Sequence, residues 1–275
     1  MGTTLIELGS GQDGGARQLG NRSSVSPARS ASSVAILGSS GAIVLLDASP
    51  DIRLQVKALL DSPLYPENRE RFIDAVCVTH AHMGRYAGLL HFGVEAAATR
   101  ETPLFATECF LSFMEGNEPW ASLLSQGRLR ETPIDHNLAI KAIPVPHREE
   151  HSDPVAFSVE VRREPWLLYL PDLDDWDTWE AGESQLSRHD VALIDASFSS
   201  LDEVPGRDMA AIRHPLIPDT IQRFRHLTEE TQFILTHINH SNPLGDDTAV
   251  IAHQAIAAGF TIAHDGLTIS FEEIP

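Results

Sequence analysis

Residues 76–90 read Val76-Cys-Val-Thr-His-Ala-His-Met-Gly-Arg-Tyr-Ala-Gly-Leu-Leu90. An apolar run ends at Thr79, and His80 and His82 follow at once. Residues two apart on extended backbone point to the same side, so both imidazoles can converge on one ion. A helix-like pattern takes over at Arg85, which places the pair between a buried-type strand and a helix, where a rigid scaffold carries function. An H-x-H pair by itself is short and recurs by chance on surfaces; the rest of the chain narrows the reading. His147 ends the run Ala142-Ile-Pro-Val-Pro-His147, Asp172 ends Trp166-Leu-Leu-Tyr-Leu-Pro-Asp172, and His237 ends Gln232-Phe-Ile-Leu-Thr-His237. If these strands are neighbours, His80, His82, His147, Asp172 and His237 share one rim.

Working outward, short runs rich in Val, Ile and Leu alternate with turn residues. The pattern predicts strands over 4–8, 33–37, 42–46, 74–78, 140–145, 155–161, 166–170, 191–195, 233–236 and 267–271. It predicts helices over 50–60 (capped by Ser49), 85–92, 108–114, 174–186, 219–227 and 248–258 (stopped by Gly259). Many strands with helices outside them imply two packed sheets covered by helices. No linker interrupts the chain, so one domain over 1–275 is expected. Residues 9–32 hold Gly, Ser, Arg and Asn with almost no large apolar residue, and read as a long loop.

Composition excludes several functions. Of 275 residues, 20 are basic and 39 acidic, a formal charge of −19, and Lys57 and Lys141 are the only lysines. Such a chain repels phosphate backbones, so no nucleic-acid partner is expected. No apolar run approaches the roughly 18 residues that span a bilayer, and no signal peptide is evident, which predicts a cytoplasmic protein without a membrane partner. Two cysteines, Cys77 and Cys109, exclude a disulfide framework and a thiolate zinc site. A homo-oligomer stays open.

Thr79-His-Ala-His82 followed by Tyr86-Ala-Gly-Leu89 resembles the signature of the metallo-β-lactamase fold, whose full pattern is H-x-H-x-D-H. The chain is most similar to the branch of coenzyme PQQ synthesis protein B and its relatives. That similarity is carried by Leu8-Gly-Ser-Gly-Gln-Asp-Gly-Gly15, Asp47-Ala-Ser-Pro-Asp-Ile52, Asp195-Ala-Ser-Phe198, Gly206-Arg-Asp-Met209, His237-Ile-Asn-His-Ser-Asn-Pro243 and Asp265-Gly-Leu267. The resemblance implies an α/β fold of the αββα type, two mixed sheets flanked by helices. It implies metal ligands at His80, His82, His147, Asp172 and His237. Two departures stand out. Gly84 and Arg85 occupy the aspartate and second-histidine positions of the pattern, both belonging to a second ion, and the 15–32 segment lacks the cysteines that hold a structural zinc in the PQQ protein.

One divalent ion is therefore expected, zinc first, with iron or manganese as alternatives. Three protein ligands and an open position form the catalytic arrangement, in which the ion acidifies its water and polarises a substrate oxygen. Asp172, Arg85 and His240 are the expected catalytic groups. Asp47, Asp195 and Asp265, each at a strand end, are expected to orient ligand histidines or to bond turn amides. Arg85 is expected either to face solvent or to pair with Asp172 and bind a substrate anion. Asp174, Asp175 and Asp177 read as caps of the next helix. The expected activity is hydrolysis of a small ester, lactone, amide or phosphodiester. Its rivals are a PQQ-protein-like oxidative enzyme on non-haem iron and a non-catalytic binding member of the fold.

Overall fold

Strand β3 (Ile43–Leu46) is four consecutive buried apolar residues, because each of its faces meets a different layer. Ile43 and Leu45 pack toward helices on one side; Val44 and Leu46 pack into a core between two sheets. The same split recurs in the second sheet, in β9 (Glu164–Leu170) and β10 (Val191–Asp195): Leu168, Leu170, Ala192 and Ile194 face helices, while Leu167, Tyr169, Val191 and Leu193 face the inter-sheet core. Unbroken apolar runs are the signature of strands covered on both faces. The architecture is two mixed sheets flanked by helices, as expected.

The computed structural model describes residues 2–16, 18–20, 28–131, 138–204, 206 and 212–271. Part of the expected loop (17 and 21–27) and positions 207–209 lie outside the described residues. The first sheet runs β13-β1-β2-β3-β4-β5-β6. Its members besides β3 are β1 (Thr4–Gly9), β2 (Ser33–Leu37), β4 (Ala75–Cys77), β5 (Thr102–Phe105), β6 (Leu129–Glu131) and β13 (Thr268–Ser270). The second runs β12-β11-β10-β9-β8-β7. It adds β7 (Leu138–Pro144), β8 (Val155–Val161), β11 (Gln232–Thr236) and β12 (Thr261–Ile262). β3 and β4 are parallel, as are β9, β10 and β11, so their carboxyl ends open on one rim. Carboxyl-end rims of parallel strands are where α/β folds bind ligands.

Helices α1 (Ile52–Asp61), α3 (Glu108–Glu115) and α7 (Val250–Ala257) lie within two residues of expectation, and α6 (Ile217–Phe224) ends three residues early where Arg225–Leu227 tightens into a 3-10 turn. Strands β5 and β6 and helix α4 (Trp120–Ser125) were not expected; they are short, and length is what a periodic pattern needs. The helix expected over 85–92 is α2 (Met83–Tyr86) followed by a tighter 3-10 turn, Ala87–Phe92. The helix expected over 174–186 is a correction too. Asp175 accepts from the Asp177 amide and closes a 3-10 turn, Trp176–Thr178, so the helix α5 begins only at Gly182 (Gly182–Leu186).

Candidate metal centre

His80 and His82 follow β4, His147 follows β7 and Asp172 follows β9, each just past the strand end. The ends are adjacent in space, and these four residues bring one ligand atom apiece within 4.8 Å of one another. His82 Nδ1 lies 3.3 Å from His147 Nε2. His80 Nε2 lies 3.4 Å from Asp172 Oδ2, and His147 Nε2 lies 3.6 Å from Asp172 Oδ1. A tetrahedron with ligand bonds of about 2.0–2.1 Å has edges of about 3.3 Å, so these spacings fit a single ion of the zinc type. The chemistry agrees. His80 Nε2 is buried without a hydrogen-bond partner, and burial holds the His80 imidazole well below its usual pKa, leaving a lone pair aimed at the other ligands. Burial also lowers His82. Asp172 would be raised by burial, but Arg85 first, then His237, His147 and His80, keep it well below the usual carboxylate range.

The ligands are held from behind. Asp174 Oδ1 is 2.9 Å from His147 Nδ1, which fixes the ring so that Nε2 faces the site. This carboxylate was expected to cap a helix; it holds a ligand instead. Thr79 Oγ1 sits 3.1 Å from His80 Nδ1 and donates to Asp47, which also accepts from the Thr79 amide at 2.8 Å and from the Tyr169 hydroxyl at 3.2 Å. Asp47 therefore acts on His80 through Thr79. Burial lifts its carboxyl to about 6, against Arg85 and the Thr79 bonds. Asp47 and His237 both have φ of 60°, a strained backbone for residues with a side chain, and such strain concentrates at functional sites.

His237 is not among the four converging ligands. Its Nδ1 is 2.9 Å from Ser197 Oγ, and its Nε2 faces Asp13 Oδ1 at 3.5 Å. Burial works against its charged form, yet Asp172, with Asp13 and Asp195, holds it protonated up to about 9. His214 was missed by sequence reasoning, since it ends no apolar strand. Its Nδ1 lies 2.6 Å from Asp195 Oδ2, and, although burial opposes it, Asp195 raises its pKa. Asp195 thus orients His214 and bonds Ser197, the neighbour of His237. Asp172, Asp195, His214 and His237 also lie mutually close, but their atoms bond each other and read as a hydrogen-bond network.

One expectation, that Asp265 orients a ligand histidine, needs correction, and Arg85 is resolved between its two readings. Asp265 accepts from Ser10 (amide and hydroxyl, both 3.0 Å) and from the Ser30 amide (2.7 Å), which fastens the N-terminal segment rather than a ligand histidine. It follows β12, the edge strand of the second sheet, three strands from β9 and Asp172. Arg85 takes the second of its two expected places, against Asp172 and away from solvent. It is fully buried, with Nε 3.0 Å and Nη2 2.5 Å from Asp172 Oδ2, and it does not line the cavity over the site. That cavity encloses about 210 Å³ and is lined by Asp13, His82, His147, Asp172, His214 and His240 among others. Asp13 was missed as well, because it lies in the segment that reads as a loop.

The family model described as "Beta-lactamase superfamily domain" matches residues 43–269. The chain belongs to that family. Among curated relatives, "Coenzyme PQQ synthesis protein B" of Cupriavidus necator is 25% identical over 272 residues, covering 88% of each chain. Among solved structures, Zn(2+)-bound PqqB from Methylobacterium extorquens superposes with a TM-score of 0.79 at 22% identity, over 98% of this chain and 100% of that one. "A New Diphosphatase from the PhnP Family" follows with 0.70 at 22% identity and 98% of each chain. Against the pattern of this beta-lactamase superfamily, the departures at Gly84 and Arg85 fall where a second ion would bind, while His80, His82, His147 and Asp172 all remain. Among the described residues no helix is long and apolar enough to cross a membrane.

Proposed function

We propose that the protein is a hydrolase that holds one divalent ion, zinc foremost, at His80, His82, His147 and Asp172, and cleaves a small ester, lactone, amide or phosphodiester. The observation that carries this reading is the convergence of four ligand residues, with ligand atoms 3.3–3.6 Å apart and His80 Nε2 among them without a partner, beneath a small cavity. When bound, the ion polarises a substrate oxygen and acidifies water. The chain's own residues supply the rest. Asp174 and Thr79 fix the rings of His147 and His80. His214, on the cavity wall with its charged form favoured by Asp195, is placed to give a proton to a leaving oxygen or nitrogen. His240 lines the same wall. Arg85 is a buried countercharge that keeps Asp172 ionised. A cavity of about 210 Å³ is smaller than the roughly 300–1,000 Å³ of pockets for drug-sized ligands, which favours a small substrate. The charge of −19 argues against a nucleic acid.

Chromogenic carboxylic esters, a lactone and a phosphodiester, offered to protein loaded with zinc, manganese or iron, test this. Turnover that disappears in His82→Ala is the expected result. A protein that binds its ion yet turns over none of them, and consumes dioxygen when iron-loaded, would instead favour an oxidative role. That second reading draws on the curated relatives, whose name places them in coenzyme PQQ synthesis. Metal content near zero would leave the non-catalytic reading.

A further inference from the structure

Gly84 stands where the full H-x-H-x-D-H pattern has its aspartate, yet the space beside it holds a carboxylate. A Cβ built on Gly84 falls 2.2 Å from Asp13 Oδ1, 2.6 Å from Asp13 Cα and 2.7 Å from Asp13 Cγ. No side chain fits at position 84 while Asp13 is in place. Asp13 is brought there by a clamped segment. Gly11 bridges to both Ala31 and Ile238, the Gln12 amide donates to the Ile238 carbonyl at 3.0 Å, and the Gly15 amide closes a turn on the Gln12 carbonyl at 2.6 Å. At the tip of that turn, Asp13 Oδ1 lies 3.5 Å from His237 Nε2 and 3.7 Å from Arg85 Nη2. Both Asp13 Oδ1 and His237 Nε2 are buried without a hydrogen-bond partner, and the His237 side chain is only 1% exposed. Asp13 and the protonated His237 face each other across about one tetrahedral edge, so an ion that displaced the His237 proton would find both atoms at ligand spacing. A positive group already stands beside them, because the Arg85 guanidinium bridges Asp13 and Asp172.

We propose that Asp13, reaching in from the N-terminal segment, supplies the carboxylate missing at position 84, and that Arg85 alone keeps a second ion out. Asp13 and His237 on one side of the guanidinium and Asp172 on the other are the groups a second divalent cation would gather once Arg85 is gone, the arginine now standing in for the cation. The proposal goes beyond the single-ion hydrolase reading and does not depend on catalysis.

The experiment counts ions. Wild-type protein, Arg85→His, Arg85→His/Asp13→Ala and Arg85→His/Gly84→Ala are titrated with Co²⁺ and checked by elemental analysis. Arg85→His should bind one more ion per chain than wild type. Both double variants should lose that extra ion, the first because the carboxylate is gone and the second because the Cβ displaces it. A folded Arg85→His that binds no more than wild type overturns the proposal, and so does a second ion that survives Asp13→Ala. If Arg85→His does not fold, melting of Asp13→Asn in the wild-type and Arg85→Gln backgrounds decides. A fall of about 5 °C or more in the first, and under half of that in the second, supports the pairing; equal falls refute it. The wild-type count reads the single-ion site separately, so failure there is not confused with failure here.

Discussion

Arg85 and Asp172 form a buried pair in which Nε and Nη2 of the guanidinium both point at the same carboxylate oxygen, at 3.0 and 2.5 Å. Asp172 Oδ1 faces His147 at 3.6 Å and His237 at 3.5 Å, so one carboxylate joins the metal ligands to the countercharge. Removing one partner of a buried pair leaves the other charge uncompensated. Arg85→Ala should therefore lose about 3–5 kcal/mol of stability in urea unfolding. Arg85→Lys should recover only part, because a point charge cannot place two donors on one oxygen.

One ion per wild-type chain is expected from elemental analysis. Excess chelator should lower the melting temperature of the wild type. At an ion concentration a hundred times the dissociation constant, linkage contributes about 2.7 kcal/mol, or roughly 5–10 °C. In His82→Ala the same chelator should change nothing. A variant that keeps its full metal content would remove His82 from the ligand set.

His214→Ala should lower turnover by about two to four orders of magnitude with metal content unchanged, the range for loss of a positioned proton donor. His240→Ala serves as the comparison: both histidines line the cavity, and His214 is the one with Asp195 against it at 2.6 Å. If His240→Ala falls further than His214→Ala, the roles are reversed.

Glu7 provides a pH test away from the ligands. It is fully buried, accepts from Thr236 at 2.6 Å, and burial raises its carboxyl from 4.5 to about 8. The folded protein thus keeps a proton that the unfolded chain releases above about 4.5. The stabilising contribution is complete below about pH 4.5 and is lost as pH rises toward 8, a fall of up to about 5 kcal/mol. Glu7→Gln preserves an acceptor for Thr236 but cannot ionise. The difference in unfolding free energy, variant minus wild type, should rise steadily between pH 5 and 8. A flat difference would show that Glu7 does not hold its proton.

No sub-micromolar, salt-dependent binding to DNA or RNA is expected in filter binding, because counterion release needs a basic face. Such binding would mean that the arginines cluster despite the overall charge of −19.

The sequence by itself determined the layers and the ligand-bearing strand ends. Runs such as Ile43–Leu46 and Val191–Asp195 have no polar face, so they had to be strands covered on both sides. Parallel β3–β4, and β7 and β9 running the same way on either side of antiparallel β8, then bring His80, His82, His147 and Asp172 to one rim, which is why local pattern was enough to find them. Asp13, Asp174 and His214 were legible only in the tertiary structure. Each sits in a turn or loop without periodicity, and each acquires its partner, His237, His147 or Asp195, across a long stretch of chain. Asp265 shows the converse: its strand-end position matched that of Asp47, yet it follows β12, the edge strand of the second sheet, and its carboxylate turns to Ser10 and Ser30. Arg85 was visible in the sequence as a departure, but whether it met solvent, substrate or Asp172 was decided by burial. A fully desolvated guanidinium must find its countercharge within the fold, and the nearest ones are the carboxylates of Asp172, Asp47 and Asp13.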